Sequence, residues 1–484
     1  MRKYELFIDN EWRSSTGQDH FVRENPANGS VVSSFARATL EDVECVAQSA
    51  RTAFDAGPWP HASPRERSDV LTRIAALLQE HNEHLARTES EESGVPLHQA
   101  RQVVQWGADL FQYYAGVCRN VRGETWALGD SADNAFGWSI REPVGVVVAI
   151  TPWNYPLSQL VWKVAPALAA GCCVIAKPPS LTPGTALELG ALMANAGLPE
   201  GVYNAVTGSG ETIGDRLVSH PLVDKVSFTG ETVTGQRIMA SASRTTKRLT
   251  LELGGKSPNI VFADADLDAA ADGVANGIFI RSGQVCTAGS RLLVERSIYD
   301  RFVDMVVDRA RAFRIGDPND EVDVGPVISD AHLSKILNAV ETGRREGARL
   351  VAGGNRIADG DLANGYFMQS TVFADVDNAM TIAQEEIFGP VLCAIPFDGV
   401  GQAVELANAT RYGLAAGVWT RDLDRAYRVI RDVRAGTCWV NTFGAPHIEM
   451  PFGGFKESGF GRELSPHAMD AYTELKAVHM AVHS

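Results

Sequence analysis

Residues 144–177 read VGVVVAITPWNYPLSQLVWKVAPALAAGCCVIAK, and this stretch decides the fold. Its first seven residues, VGVVVAI (144–150), form a continuous apolar, β-branched run, the pattern of a strand buried on both faces. TPWNYP (151–156) turns the chain, 157–170 has the composition of a helix, and CCVIAK (172–177) is a second apolar strand. Strand, helix-length spacer, strand is a right-handed βαβ unit, which requires a parallel sheet.

Outward from this unit the alternation continues. LTPGTALELGALMANAG (181–197) reads as a helix with Thr182 as N-cap, Pro183 at the first helical position and Gly197 as the stop. GVYNAV (201–206), KVSFTG (225–230) and RLTLEL (248–253) supply further strands. The sequence therefore predicts an α/β protein with a Rossmann-like domain built from 1–122 and 144–254. Within 1–122, RSDVLTRIAALLQEHNEHLART (67–88) reads as one helical stretch packed around that sheet. After Gly254-Gly255 the theme restarts with SPNIVFAD (257–264) and closes on TCWVN (437–441), expected to be a late buried strand of a second α/β domain over 255–456. The segment 123–143 fits neither: it is polar and strand-like, with Trp126 and Trp138 set to be exposed. It suits either a surface hairpin or a ribbon that pairs with another subunit.

The totals narrow the function. A chain of 484 residues is long for one core. A formal charge of −15 opposes nucleic acid or an anionic membrane surface as the main partner. The longest charge-free run, Val144–Trp162, is broken by Pro152, Asn154, Pro156 and Gln159, which suits a strand and loop better than a membrane span. No apolar signal segment follows the acidic start MRKYELFIDNEW, and the seven cysteines show neither a C-x-x-C pair nor zinc spacing. These features predict a soluble cytoplasmic protein without a structural metal.

Four strand ends carry polar or glycine-containing stretches: TPWNYP, KPPS (177–180), GSG (208–210) and TGET (229–232). Ligands of open α/β sheets bind beyond such ends, so four together describe a cofactor cleft. TGSGETIG (207–214) is by itself a weak phosphate signal, because Gly214 falls one place late for G-x-G-x-x-G. LELGGKSPN (251–259) puts Glu252 at the end of an apolar strand, where it is either a buried base or a partner of Lys256. RSGQVCTAGSR (281–291) sets Cys286 among small polar residues, unlike an inert core cysteine. A half-buried turn cysteine fits that stretch as well.

TPWNYP, FTGET, LELGGKSPN, SGQVCTAGSR, EEIFGP (385–390) and PFGGFKESGFGRE (451–463), in this order and spacing, resemble the aldehyde dehydrogenase superfamily over essentially the whole chain. The resemblance implies NAD(P)-dependent, non-phosphorylating oxidation of an aldehyde to a carboxylic acid. It casts Cys286 as nucleophile, Asn154 with the Cys286 backbone N–H as oxyanion donors, and Glu252 as the base that activates water. Lys163 and Glu463 match positions linked to proton relay. For the cofactor it implies Lys177 on the adenosine ribose, Gly210 and Gly230 near adenine or pyrophosphate, Glu386 on the nicotinamide ribose and Phe388 beside the ring. Ile150, Thr151, Trp153, Pro178, Phe228 and Leu253 would line the same cleft. Tyr155, Trp162 and Phe452 would line the substrate tunnel, and no metal is required. The ribbon 123–143 and the C-terminal 457–484 resemble oligomerisation arms of a homodimer or homotetramer.

Three positions depart from the commonest family form. Ser180 stands where a glutamate often repels the 2′-phosphate, so NADP is expected to be accepted beside NAD. Glu231 replaces a serine near the pyrophosphate. Arg281 replaces an asparagine, either as a structural arginine paired to a carboxylate or as a cation that favours an acidic aldehyde. The aromatic walls suit an aromatic or medium-chain aliphatic aldehyde. A betaine-type substrate held by cation–π attraction, or a carboxylate-bearing semialdehyde, is the alternative. Glu252 favours hydrolysis over transfer to CoA.

Overall fold

The computed structural model describes residues 1–128, 135–444 and 446–481. The quoted stretch folds as expected: strand Val146–Ile150, helix Pro156–Ala170, strand Cys173–Lys177. All fifteen residues of the helix are buried, which explains why it carries one charge, Lys163, and no amphipathic pattern. The strand lies parallel to Cys173–Lys177 on one side and to Lys225–Thr229 on the other. Arg248–Glu252 and Tyr203–Ala205 extend this parallel core. Strand order thus reverses beside Val146–Ile150, and the crevice at its carboxyl end, between Ile150 and Thr229, is the switch point at which such sheets bind ligands.

Three short antiparallel strands complete the eight-stranded sheet: Leu6–Ile8 and Glu11–Arg13 beyond Tyr203–Ala205, and Gly459–Phe460 beside Arg248–Glu252. The N-terminal segment therefore contributes strands to the sheet as well as helices around it. The stretch 67–88 is two helices, Pro64–Glu80 and Asn82–Ser93, separated at His81. Thr182 does not cap a helix. The helix starts at Gly184 with Pro183 before it, and the Thr182 hydroxyl donates instead to the Trp153 carbonyl at 3.3 Å.

The second sheet has seven strands, with Pro258–Val261, Arg291–Glu295 and Val391–Phe397 at its centre. Thr437–Val440 is its edge strand, and there Cys438 and Val440 are exposed, so the late buried strand is buried only at Trp439. Ala135–Pro143 pairs antiparallel with Thr125–Leu128 and with Thr473–Ala481 in a three-stranded ribbon. Trp126 is exposed on this ribbon but Trp138 is half-buried; Phe136 and Ile140 take the outer face instead. No described helix is long and apolar enough to cross a membrane.

Candidate active site

Cys286 is delivered by a strained turn. Helix Leu267–Phe279 ends and the chain passes through Arg281, Ser282 and Gly283 at φ of +53°, +55° and +68°. Side-chain-bearing residues adopt such angles only where their surroundings hold them. Here the Ser282 hydroxyl donates to the Gly325 carbonyl at 2.7 Å, and the Gln284 amide ties Arg281 O to the Ile328 N–H at 3.0 and 2.9 Å. The turn places Cys286 on the wall of a cavity of about 740 Å³, and none of the other six cysteines lines that cavity. Burial, followed by the charges of Glu386 and Glu252, pushes the thiol up to about 12.

Glu252 ends the strand Arg248–Glu252 next to Thr229. Neither of its carboxylate oxygens has a hydrogen-bond partner among the described residues, and the Lys256 ammonium is likewise buried and unpartnered. The two are therefore not an ion pair. Burial first, and then the Glu463 charge, raises the Glu252 carboxyl well above its usual range. A Cβ at Gly453 would lie 2.7 Å from the Gly461 carbonyl oxygen and 2.8 Å from Glu252 Oε1, so a side chain there would displace backbone as well as the carboxylate. Lys163 projects from the buried helix to Thr229 Oγ1 at 2.7 Å and to Glu463 Oε1 at 2.5 Å, a fully buried pair beside Glu252. Glu252 feels the charges of both but is hydrogen-bonded to neither among the described residues.

Asn154 and Arg281 bind the two motifs together. Asn154 Nδ2 donates to the Gln284 carbonyl at 2.8 Å, and Arg281 Nη1 donates to the Asn154 carbonyl at 2.7 Å. The Arg281 guanidinium also lies 3.7 Å above the Tyr155 ring, and Nη2 faces Glu89 at 3.8 Å. Burial holds Glu89 up at about 7, with Arg281 opposing. Sequence reasoning missed Glu89 because RTESEES reads as an ordinary polar helix face.

The switch-point crevice holds the other set. Lys177 is buried at the end of its strand with no ion-pair or hydrogen-bond partner among the described residues, and burial lowers its ammonium to about 8. Ile150 and Thr151 lie beside it, and the Thr151 hydroxyl has no partner. Across the crevice Glu386 accepts from the Gly255 N–H at 3.0 Å. A Cβ at Gly254 would meet Glu386 at 2.5 Å, and one at Gly255 would meet the Cys286 carbonyl at 2.5 Å. The paired glycines after Glu252 thus allow Glu386 and the nucleophile turn to close on this strand end. Phe388, at φ +58°, stands edge-on to Trp153 at 5.2 Å, with its carbonyl held by His332 at 2.8 Å. Leu253, Phe228 and Pro178 are buried around the crevice. Gly230 is pinned under the Phe228 ring, and Gly210 opens an exposed helical turn, Gly210–Gly214. Ser180 is exposed and donates to the Gly208 carbonyl at 3.2 Å. Glu231 turns outward to Lys335 at 3.3 Å, and both side chains are exposed. A buried unpaired ammonium at one strand end and a buried carboxylate at another, with a serine hydroxyl at the rim, fit a dinucleotide with its ribose hydroxyls at either end. Among the described residues no group of three or more His, Cys, Asp or Glu could hold a metal ion.

Tyr155, Trp162, Arg281 and Phe452 all line the Cys286 cavity, as does Ile280. Trp162 stands edge-on to Phe452 at 5.0 Å and tilted against Trp106 at 5.4 Å. Trp106, Gln159, Phe313 and Trp439 also line it and were not foreseen. Gln159 was legible in principle, since 155, 158, 159 and 162 share one helical face; Trp439 was hidden in a strand expected to be buried.

The aldehyde dehydrogenase family model matches residues 12–478. Betaine aldehyde dehydrogenase of Bacillus subtilis is 44% identical over 475 residues, 98% of this chain and 96% of the relative. The NAD-dependent aldehyde dehydrogenase of Sinorhizobium meliloti superposes with a TM-score of 0.96 at 43% identity, covering 99% of this chain and 95% of that one. Indole-3-acetaldehyde dehydrogenase of P. syringae, solved with NAD+, gives 0.97 at 41% identity, covering 100% and 97%. With a family model spanning nearly every residue, and relatives that share both its length and its architecture, the chain belongs to the aldehyde dehydrogenase family.

Proposed function

We propose that this enzyme oxidises an aldehyde with an uncharged aromatic or medium-chain aliphatic body to the carboxylic acid, through a thiohemiacetal and a thioester on Cys286. One observation carries this reading: Cys286 lies on an aromatic-walled cavity and its thiol feels the charge of Glu252, a buried carboxyl with both oxygens unengaged among the described residues. The thiol is protonated at rest, so Glu252, whose charge is felt at the sulfur, takes its proton as the carbonyl engages. Sulfur then bonds to the carbonyl carbon. The Asn154 amide leaves Gln284 O and, with the Cys286 N–H, donates to the developing oxyanion, a role worth about 3–4 kcal/mol per donor. NAD+, held by Lys177, Thr151, Trp153, Glu386 and Phe388, supplies when bound the hydride acceptor that converts the thiohemiacetal into a thioester. Once Glu252 has released the thiol's proton, its carboxylate deprotonates water, hydroxide adds to the thioester, and the Cys286 thiolate leaves as the acid forms. The Lys163–Glu463 pair beneath Glu252 offers the route by which that proton moves away from the cavity.

The uncharged hydroxyl at Ser180, in place of a carboxylate, supports acceptance of NADP beside NAD. A betaine-type substrate has support of its own: Trp106, Tyr155, Trp162, Trp439 and Phe452 give five rings for a quaternary ammonium, and a relative is named for betaine aldehyde. Arg281, engaged by Asn154, Tyr155 and Glu89, counts against a carboxylate-bearing substrate. Exposed Trp126, Phe136, Ile140 and Leu475 on the three-stranded ribbon support assembly as a homo-oligomer, dimer or tetramer.

Glu252→Gln tests the chemistry. The variant is expected to release at most one equivalent of reduced cofactor, more slowly because the thiol has lost its base, and then stall, with kcat lower by about 10²–10⁴-fold and the acyl group retained on Cys286 by mass spectrometry. Full multiple turnover in this variant, or product formation that requires CoA, overturns hydrolysis by Glu252.

A further inference from the structure

Every Asp and Arg that lines the Cys286 cavity is already paired. Asp272 binds Arg309 at 2.7 Å, Asp323 binds Arg314 at 3.0 Å, and Arg281 faces Glu89 at 3.8 Å. The walls therefore offer a substrate rings and neutral dipoles. Two such dipoles stand out. Gln159 is 6% exposed and its side-chain amide makes no hydrogen bond among the described residues, with Oε1 fully buried. Trp162, 5% exposed, has its indole N–H buried and unpartnered. Both line the cavity from one face of helix Pro156–Ala170, three positions apart, with Tyr155 one turn before Gln159. A buried amide without a partner is costly, and native structures rarely leave one unless something in the site completes it.

We propose that Gln159 and the Trp162 N–H form a polar subsite in the aromatic tunnel that selects aldehydes whose body carries a neutral hydrogen-bond donor, such as a ring N–H, a hydroxyl or an amide. The inference rests on the reading that this cavity admits the aldehyde to Cys286. A turn of each side chain toward the cavity lets Gln159 Oε1 accept from the substrate donor and the Trp162 N–H take an acceptor where the substrate has one. A trimethylammonium group has neither, so it would leave both protein dipoles desolvated. The subsite thereby ranks donor-bearing aromatic aldehydes above betaine-type ones of similar bulk. A site built to hydrogen-bond a substrate group discriminates against the analogue lacking it far better than a pocket discriminates by a methylene.

The test compares indole-3-acetaldehyde with benzothiophene-3-acetaldehyde, in which sulfur replaces the ring N–H at nearly constant shape, using NAD+ and the intact enzyme. The expected result is a kcat/KM at least about tenfold higher for the indole, one hydrogen bond's worth of discrimination. The ratio is expected to collapse to about one in both Gln159→Leu and Gln159→Met, two replacements of similar length that a helix tolerates. Equal kcat/KM in the unaltered enzyme overturns the subsite. So does a preference that survives in whichever variant folds, or turnover of hexanal with none of either ring aldehyde. Absence of turnover with all three aldehydes, from protein that binds NAD+, overturns the reading of the cavity itself.

Discussion

At the scale of single residues, two departures from the commonest family pattern resolve differently. Glu231 sends its carboxylate out to Lys335, 104 positions further along, so it does not point at the cleft. No local reading of TGET could find that partner. Ser180 keeps its hydroxyl at the rim, spent on the Gly208 carbonyl at 3.2 Å and free to be re-aimed. A hydroxyl donates to a 2′-phosphate where a carboxylate would repel it, and repulsion between unit charges a few ångströms apart at a protein surface amounts to several kcal/mol. Ser180→Glu is therefore expected to lower the ratio of kcat/KM for NADP to that for NAD by at least about tenfold, mainly through KM for NADP. A ratio unchanged by the substitution would sink the NADP reading.

Between elements, the decisive part is the brace from the Cys286 turn to the turn after the first strand of the parallel core. Arg281 accepts left-handed geometry, donates to Asn154 O at 2.7 Å and covers Tyr155, so it holds Asn154, the proposed oxyanion donor, and one cavity wall in register with the Cys286 turn. Arg281→Ala removes that hold while leaving the sheet intact. Misplacement of catalytic groups by an ångström costs about 10²-fold. The expected outcome is a fall of that order in kcat, with KM changing alike for acidic and neutral aldehydes; a rise in KM confined to acidic aldehydes would make Arg281 a substrate cation instead. The elements themselves were largely legible, because the apolar runs at 144–150, 172–177 and 225–230 are buried on both faces and carry their period openly. What escaped was set by partners distant in sequence. Leu6–Ile8 is a strand because Tyr203–Ala205 offers it an edge, and Thr182 is drawn off its cap by Trp153 O. Trp439 is buried in an edge strand because it faces the tunnel. The proposed catalytic set was legible only from motif resemblance; the contact of Arg281 with Glu89 was not, since nothing local marks which acidic residue of a polar helix turns inward.

Over the whole molecule, buried ionisable groups set how stability depends on pH, and the two kinds act with opposite sign. Burial raises Glu89 and Glu386 to about 7 and Glu92 to about 8, from 4.5. Between those limits the folded chain keeps protons that the unfolded chain has released, so stability falls as pH rises through the window. Burial lowers Lys177 to about 8 and Lys225 to about 7, from 10.5. There the unfolded chain holds protons that the folded one has lost, so stability climbs from about pH 7 upward. Each group contributes a slope of up to about 1.4 kcal/mol per pH unit inside its window. Urea unfolding at fixed protein concentration, which holds any assembly term constant, should give a midpoint that falls from pH 5.5 to 7.5 and falls no further at that slope above it, where the lysines oppose the buried thiols of Cys172 and Cys286. Glu92 is the cleanest probe, because it lies outside the cavity and accepts from the Gly184 N–H at 3.0 Å and Ser33 Oγ at 3.1 Å. Glu92→Gln keeps an acceptor there and removes the titration, so the fall between pH 5.5 and 7.5 should become shallower in that variant. A midpoint that is flat or rising between pH 5.5 and 7.5 would mean that these carboxyls are ionised inside the folded protein, with counter-charges closer to them than Arg23 and Arg281 now stand.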